Sequence, residues 1–128
     1  MNRPHALQRR TFYALLVILL ASGLAWETMS PGSAASLVMK IHGVAAMLVL
    51  VVLGTLLTRH VPAGWEAGKS RTSGVFMLSA LLWLAGTGYA LYYAGDERLR
   101  WYAAQSHLWI GLAATAIVLL HIRRSALT

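Results

Sequence analysis

Four of the five histidines in this 128-residue chain lie in two long apolar stretches, at positions that helical geometry can test. His107 and His121 are 14 residues apart, so on a helix they return to within about 40° of the same face after a rise of about 21 Å. His42 and His60 are 18 residues apart, which is five full turns, or about 27 Å. An ionisable residue inside a membrane span is costly and is by default a functional candidate. These two pairs are therefore the first candidates for a functional site.

Two imidazoles at the same depth on two neighbouring helices form the ligand set that a haem iron requires. His42 and His107 each lie about five residues into their apolar stretch. His60 and His121 lie near the other end of theirs, offset in depth by about 4–5 Å. Imidazoles on both axial positions leave no open position for oxygen, so the expected chemistry is electron transfer. The pattern predicts an outer haem b on His42 and His107 and an inner one on His60 and His121, with one haem as the minimum.

Each histidine also has a simpler interpretation. His42 and His107 could be polar groups that are hydrogen-bonded between helices. His121 could be an interfacial residue beside two arginines, and His60 could be a loop residue next to Arg59. These alternatives stay open at the level of the sequence.

Four apolar blocks, each close to the 20 residues or so that a bilayer-spanning helix needs, account for most of the chain. The composition is 58% hydrophobic and 12% charged, about half the charged share of a soluble domain. Pro62 is expected to end the second helix, because proline cannot continue the hydrogen-bond ladder. The predicted fold is an all-α integral membrane four-helix bundle, formed by residues 1–128 as a single domain. Its predicted spans are 11–29, 37–58, 74–94 and 102–122.

Lysine and arginine are unevenly distributed over the two sides of these spans. Eight fall on the side of the N-terminal tail, the loop after the second span and the C-terminus, and three fall on the other side. The positive-inside rule makes the first side cytoplasmic, so both termini are predicted to be cytoplasmic. In this topology the second and fourth spans are parallel, so His42 and His107 lie at the same depth in the membrane. The expected location is the inner (cytoplasmic) membrane of a bacterium, as a multi-pass protein.

Composition also excludes several function classes. The net charge of +7 sits at the ends of the apolar blocks, so it is assigned to membrane orientation and not to nucleic-acid binding. The absence of cysteine excludes disulfides, thiolate-bound zinc, iron–sulfur clusters and covalently attached c-type haem. The loops are too short for a soluble catalytic domain. The protein is therefore expected to be an electron carrier and not an enzyme in its own right.

Residues near the histidines fit a bound macrocycle. Haem propionates need cationic partners close to the membrane surface, and Lys40 and Arg100 are available on the outer side, with Arg59 on the inner side. Gly54 and Gly111 lie in the two histidine-bearing stretches. Small residues of this kind let a flat ring, or simply a neighbouring helix, approach the backbone.

The stretches HGVAAMLVLVVLGTLLTRHVPAGW, TGYALYYAGDE, SHLWIGL and LLHIRR resemble small bacterial membrane proteins of the cytochrome b561-like kind. The arrangement of histidines resembles the di-haem b-type cytochromes of respiratory membranes, in which two helices each carry two histidines. The resemblance covers roughly residues 40–124 and departs in the longer spacing on the second span, which weakens His60 as a ligand. It implies a haem b electron-transfer subunit between the quinone pool and a redox partner. That partner would be a c-type cytochrome or a larger oxidoreductase complex, and quinone is a candidate second cofactor.

Two other functions remain compatible with the sequence. One is a small four-span transporter, although proton-coupled exporters of this length use a carboxylate deep in the first span and Glu27 lies at the end of this one. The other is a cofactor-free subunit that anchors or assembles a larger complex. A visible absorption spectrum separates the haem protein from these two alternatives.

Overall fold

The computed structural model describes the backbone of residues 3–66 and 71–126 as four α-helices, with no strand among them. Side chains are described within these ranges except at 3–6, 9, 56, 59–61, 63, 64, 73 and 119–126. The helices are α1 (Arg3–Thr28), α2 (Ser33–Glu66), α3 (Arg71–Tyr93) and α4 (Glu97–Ala126). The predicted all-α class is confirmed.

The chain divides into two compact units, Met1–Lys69 and Ser70–Thr128. In the first unit α1 packs against α2, and in the second α3 packs against α4. The turns that join the helices, 29–32 and 94–96, are short, so the two helices of each unit run antiparallel. We refer to the units as hairpin 1 and hairpin 2.

Three helices contain segments that are long and apolar enough to cross a bilayer, judged by length and composition. These segments are Arg10–Thr28, Ser33–Thr55 and Gly74–Tyr93. They indicate a membrane protein. Over its described residues α4 does not meet the same test, so a fourth span at 102–122 stays a prediction.

Alanine is common among the buried residues of both hairpins. Four of the six buried apolar residues among the described side chains are alanines; the buried set is Leu15, Ala35, Ala45, Val49, Ala103 and Ala114. Alanine lets two helix backbones approach closely, which is the usual basis of helix packing in membranes. Larger apolar side chains lie on the outside of the hairpins, with Met47 69% exposed and Val51 65% exposed. An exposed apolar surface of this kind suits contact with lipid.

The second helix runs further than expected, and the prediction that it ends before Pro62 is wrong. Pro62 lies inside α2, which continues to Glu66. The fixed backbone angle of proline is itself helical, and the ring removes only the hydrogen bond to the carbonyl four residues earlier. That carbonyl, on Thr58, lies close to the end of the apolar segment, where water can satisfy it.

The fourth helix also begins earlier than its predicted span. It starts at Glu97, and the carboxylate of Asp96 accepts a hydrogen bond from the backbone N–H of Leu99 at 2.7 Å. This is the geometry of an N-terminal cap, which satisfies one of the free N–H groups of the first turn. The capped start places Arg100 and His107 on one continuous helix.

A side-chain hydrogen bond joins α1 and α2 at the end of hairpin 1 that lies away from the turn. Gln8 Nε2 donates to Thr55 Oγ1 at 2.6 Å, and the Thr55 hydroxyl donates to the Val52 carbonyl at 2.7 Å.

Replacing Thr55 by valine keeps the shape of the side chain and removes the hydrogen bond to Gln8, so the free energy of unfolding in detergent should fall by about 0.6 kcal/mol. Thr58→Val is the matched control, because the Thr58 hydroxyl donates to the carbonyl of Thr55 in its own helix. Equal losses in the two variants would contradict a stabilising link between the helices.

Candidate functional site

His42 is half-buried in hairpin 1, at the tenth residue of α2. Its Nδ1 lies 2.9 Å from the hydroxyl oxygen of Ser22, six residues before the end of α1. Ser22 is buried, with only 8% of its surface exposed. Gly32, in the turn, lies midway between the two in sequence, so antiparallel pairing brings them face to face. The imidazole is thus directed at α1 within its own hairpin.

His107 has the same arrangement in hairpin 2. It is half-buried at the eleventh residue of α4, and its Nδ1 lies 2.8 Å from the hydroxyl oxygen of Thr87. Thr87 is six residues before the end of α3. Glu97, at the start of α4, lies midway between them in sequence. We call Ser22–His42 and Thr87–His107 the two hydroxyl–histidine couples.

The two couples repeat at a fixed interval along the chain. In each, the hydroxyl precedes the histidine by 20 residues. Thr87 follows Ser22 by 65 residues, and His107 follows His42 by the same 65. A glycine comes directly after each hydroxyl residue. The same arrangement of hydroxyl, glycine and histidine therefore occurs in each hairpin, at the same distance from the turn.

The hydroxyl of each couple has a backbone carbonyl within hydrogen-bond distance as well as the imidazole. Ser22 Oγ donates to the Ile18 carbonyl at 2.6 Å, and Thr87 Oγ1 donates to the Trp83 carbonyl at 2.8 Å. A hydroxyl has one proton to give, so it either donates to the carbonyl and accepts from Nδ1–H, or donates to an unprotonated Nδ1. The first arrangement places the lone pair of the neutral imidazole on Nε2.

Glycine leaves room for each imidazole against the facing helix. A Cβ atom added at Gly23 would lie 3.5 Å from Cε1 of His42, and one added at Gly88 would lie 3.6 Å from Cε1 of His107. Both distances are ordinary van der Waals contacts. Any side chain longer than alanine at these positions would need the space that the ring occupies. The hydroxyl holds the ring by a hydrogen bond, and the adjacent glycine accommodates its edge.

An imidazole held in this way is suited to binding a metal ion. Histidines that bind metals almost always donate their other ring N–H to a fixed acceptor, which sets the tautomer and the orientation of the ring. Both couples supply that acceptor inside an apolar hairpin. Among the described residues no three or more histidine and acidic side chains form a group that could hold a metal ion. A haem iron takes only two axial ligands from the protein.

Both histidines of the predicted inner ligand pair are placed by their backbone alone. His60 lies in α2 and His121 in α4. Their side chains, and that of Arg59, fall outside the described residues. The inner haem site therefore stays a prediction.

The two predicted outer partners for propionates differ in their relation to the histidines. Lys40 and Arg100 are both exposed. Arg100 precedes His107 by seven residues, so the two lie within about 20° of one face of α4, about 10 Å apart along the axis. Lys40 precedes His42 by two residues, which places it about 160° away around α2. Helix geometry therefore favours Arg100 over Lys40.

The glycines that the sequence singles out have different surroundings. At Gly111, one turn from His107, an added Cβ would lie 3.7 Å from Cδ2 of Leu84 on α3. This glycine therefore serves helix packing within hairpin 2. At Gly54 an added Cβ would meet nothing within 4 Å. Gly54 lines an open groove on hairpin 1 together with Gln8, Val51, Thr55 and Thr58.

Ser22 and Thr87 are the functional candidates that the interpretation of the sequence missed. That interpretation pairs the histidines of two parallel spans with each other. It leaves out the side chains on the antiparallel helix that precedes each histidine. A usable signal is present, because serine-glycine and threonine-glycine each precede a histidine at the same spacing. A self-comparison of the chain at an offset of 65 residues would have found it.

Comparison with known proteins adds no family assignment. No family model, no curated protein and no solved structure matches the chain. The resemblance to b-type membrane cytochromes therefore stays a prediction from the histidine pattern.

Proposed function

We propose that this protein is a haem b-binding electron carrier of a membrane, with His42 and His107 as axial ligands to the iron. The observation that supports this most directly is the repeated hydroxyl–histidine couple. Each hairpin holds one imidazole with Nδ1 at hydrogen-bond distance from a hydroxyl oxygen, 2.9 Å in hairpin 1 and 2.8 Å in hairpin 2. Two equivalent imidazoles are the ligand set of a six-coordinate haem that transfers electrons without binding oxygen.

The residues of the chain would hold the haem and isolate it from water. When bound, haem supplies one-electron chemistry at its iron. The two hydroxyls orient the imidazoles, and the apolar side chains of the hairpins exclude water from them. A low dielectric strengthens the charge interactions of the site. Arg100, on the same helix face as His107, is the cation that we assign to a propionate. A second haem, on His60 and His121 and with Arg59 as its cation, completes the proposal.

The proposed electron route joins the quinone pool to a redox partner, a c-type cytochrome or a larger oxidoreductase complex, in a bacterial cytoplasmic membrane. The groove on hairpin 1 supports a quinone as the membrane-soluble partner. It combines the amide of Gln8 with the hydroxyls of Thr55 and Thr58 at the end of the apolar segment. The Thr55 and Thr58 hydroxyls donate to carbonyls of α2, so the second amide N–H of Gln8 is the donor that a quinone carbonyl would take.

The test is the visible spectrum of the purified full-length protein, expressed with haem supply. We expect a sharp Soret band, with separate alpha and beta bands after reduction by dithionite, and no change on adding carbon monoxide, because both axial positions are filled. Haem per chain should be one or two. If it is two, His60→Ala and His121→Ala should each lower it by one. A colourless protein would contradict the proposal and favour a transporter or a cofactor-free anchor.

A further inference from the structure

The geometry of the couples points to a positioning role for two hydroxyls. We infer that Ser22 and Thr87 hold His42 and His107 in the Nδ1-protonated tautomer, with Nε2 as the atom that binds iron. The iron-binding part of this inference rests on the proposed function. The tautomer part rests on the hydrogen bonds alone, and it can be measured in protein that contains no haem.

The role follows from the direction of each hydrogen-bond chain. In hairpin 1 the chain runs from Nδ1–H of His42 to Ser22 Oγ, and from the Ser22 hydroxyl to the Ile18 carbonyl. The Leu19 carbonyl lies 3.2 Å from the same hydroxyl oxygen, and the ring also has a hydrogen bond with the Leu19 backbone. A carbonyl can only accept, so the Ile18 and Leu19 carbonyls favour a hydroxyl proton that points to the helix, which leaves the hydroxyl oxygen to accept from Nδ1–H.

Hairpin 2 repeats the chain with different residues. Nδ1–H of His107 donates to Thr87 Oγ1, whose hydroxyl is 2.8 Å from the Trp83 carbonyl and 3.2 Å from the Leu84 carbonyl. Serine and threonine both supply the hydroxyl, and they differ by one methyl group. The feature common to both hairpins is therefore the hydroxyl oxygen and its acceptor carbonyls.

A hydroxyl on a helix can have a purely local role, and the chain contains such a case. Serine and threonine in helices often donate to the carbonyl four residues earlier without any tertiary contact. Thr115, partly buried on α4, donates to the Gly111 carbonyl at 2.8 Å. Ser22 and Thr87 make the same local bond and in addition contact an imidazole. Thr115 is thus a matched control that separates the local bond from the contact with histidine.

Removing the hydroxyl should change the electronic character of the imidazole. An N–H that donates to a hydroxyl makes the opposite ring nitrogen a stronger donor, and such outer partners typically change metal affinity 10–100-fold when mutated. A stronger nitrogen donor stabilises ferric over ferrous iron. The loss of either hydroxyl should therefore weaken haem binding 10–100-fold and raise the midpoint potential.

The experiment compares five variants of the full chain. Ser22→Ala and Thr87→Val remove the hydroxyls, Ser22→Thr and Thr87→Ser keep them, and Thr115→Val is the control. The first readout is the ¹⁵N NMR spectrum of the imidazoles in haem-free protein, which distinguishes protonated from unprotonated ring nitrogens. The second is the midpoint potential of the haem-loaded protein, and the third is its haem affinity.

We expect the Nδ1-protonated form of His42 and His107 in the wild type, in both hydroxyl-retaining variants and in Thr115→Val. Ser22→Ala should give mixed tautomers at His42 alone, and Thr87→Val at His107 alone. Tautomers and potentials that do not change in these two variants would overturn the inference. A wild type that takes up no haem would overturn the proposed function and the iron-binding role, while the NMR spectra would still decide the tautomer. If a variant of one hairpin fails to fold, the corresponding variant of the other hairpin still tests the role of the hydroxyl.

Discussion

Replacing His107 by alanine is expected to lower the haem content of the purified protein by one haem per chain, and His42→Ala should do the same. Each substitution removes one of the two axial ligands, and we expect a haem left with a single histidine to be lost from the protein during purification. The measurement is the haem-to-protein ratio, with the alpha band of the reduced protein. If two haems are bound, the ratio falls from two to one and the inner haem remains.

The control for this prediction is His5→Ala, because His5 lies before the first predicted span and has no proposed role. Helix content, measured by circular dichroism, should stay constant in all three variants. If the ratio of haem to protein were unchanged in His42→Ala or His107→Ala, that histidine would not be a ligand. The interpretation as a hydrogen-bonded polar group would then hold for it.

A second large effect is expected at Gly88. Alanine there places a Cβ 3.6 Å from Cε1 of His107, an ordinary contact, and alanine is favoured over glycine in a helix by roughly 0.5–1 kcal/mol. Gly88→Ala should therefore keep the haem and stabilise hairpin 2 slightly. Leucine requires the volume that the ring occupies. Gly88→Leu should cost about 1–3 kcal/mol, break the bond from His107 to Thr87, and lose the haem that His107 binds.

The matched control is Gly86→Leu, two residues earlier on α3. A Cβ at Gly86 would meet nothing within 4 Å, so the same leucine should leave thermal stability and haem content close to those of the wild type. Gly23→Ala and Gly23→Leu repeat the comparison in hairpin 1. Similar losses in Gly86→Leu and Gly88→Leu would show that any leucine on this helix is disruptive, and would contradict a specific contact with the imidazole.

Length and apolar composition were sufficient to predict the helices. Each block has the length that a helical crossing of a bilayer needs, and in such blocks the backbone must satisfy its own hydrogen bonds. The helix ends were harder to place. The sequence predicts that α2 stops before Pro62, because proline removes one hydrogen bond of the helix. The helix continues to Glu66, since a single lost bond at the polar end of a long helix costs too little to unwind it.

The histidines were found from their type and depth, whereas their hydrogen-bond partners were not. Partners on a facing helix depend on which residues the turn brings opposite each other, and a shift of one residue rotates a side chain by about 100°. The turn 29–32 sets that register for Ser22 and His42. His42 and His107 were paired because they lie at the same depth along the membrane normal. Depth does not determine the direction in which a side chain points around its helix.

The near identity of the two couples has a practical consequence for every experiment on this protein. Each hairpin contains a histidine, a hydroxyl and a glycine in the same relation, so a substitution in one hairpin leaves an unaltered copy in the other. The unaltered copy is an internal standard within the same molecule, the same detergent micelle and the same spectrum. In haem-free protein, a signal that moves for one histidine and stays fixed for the other reports a local change, whereas one that moves for both reports a change in the whole fold.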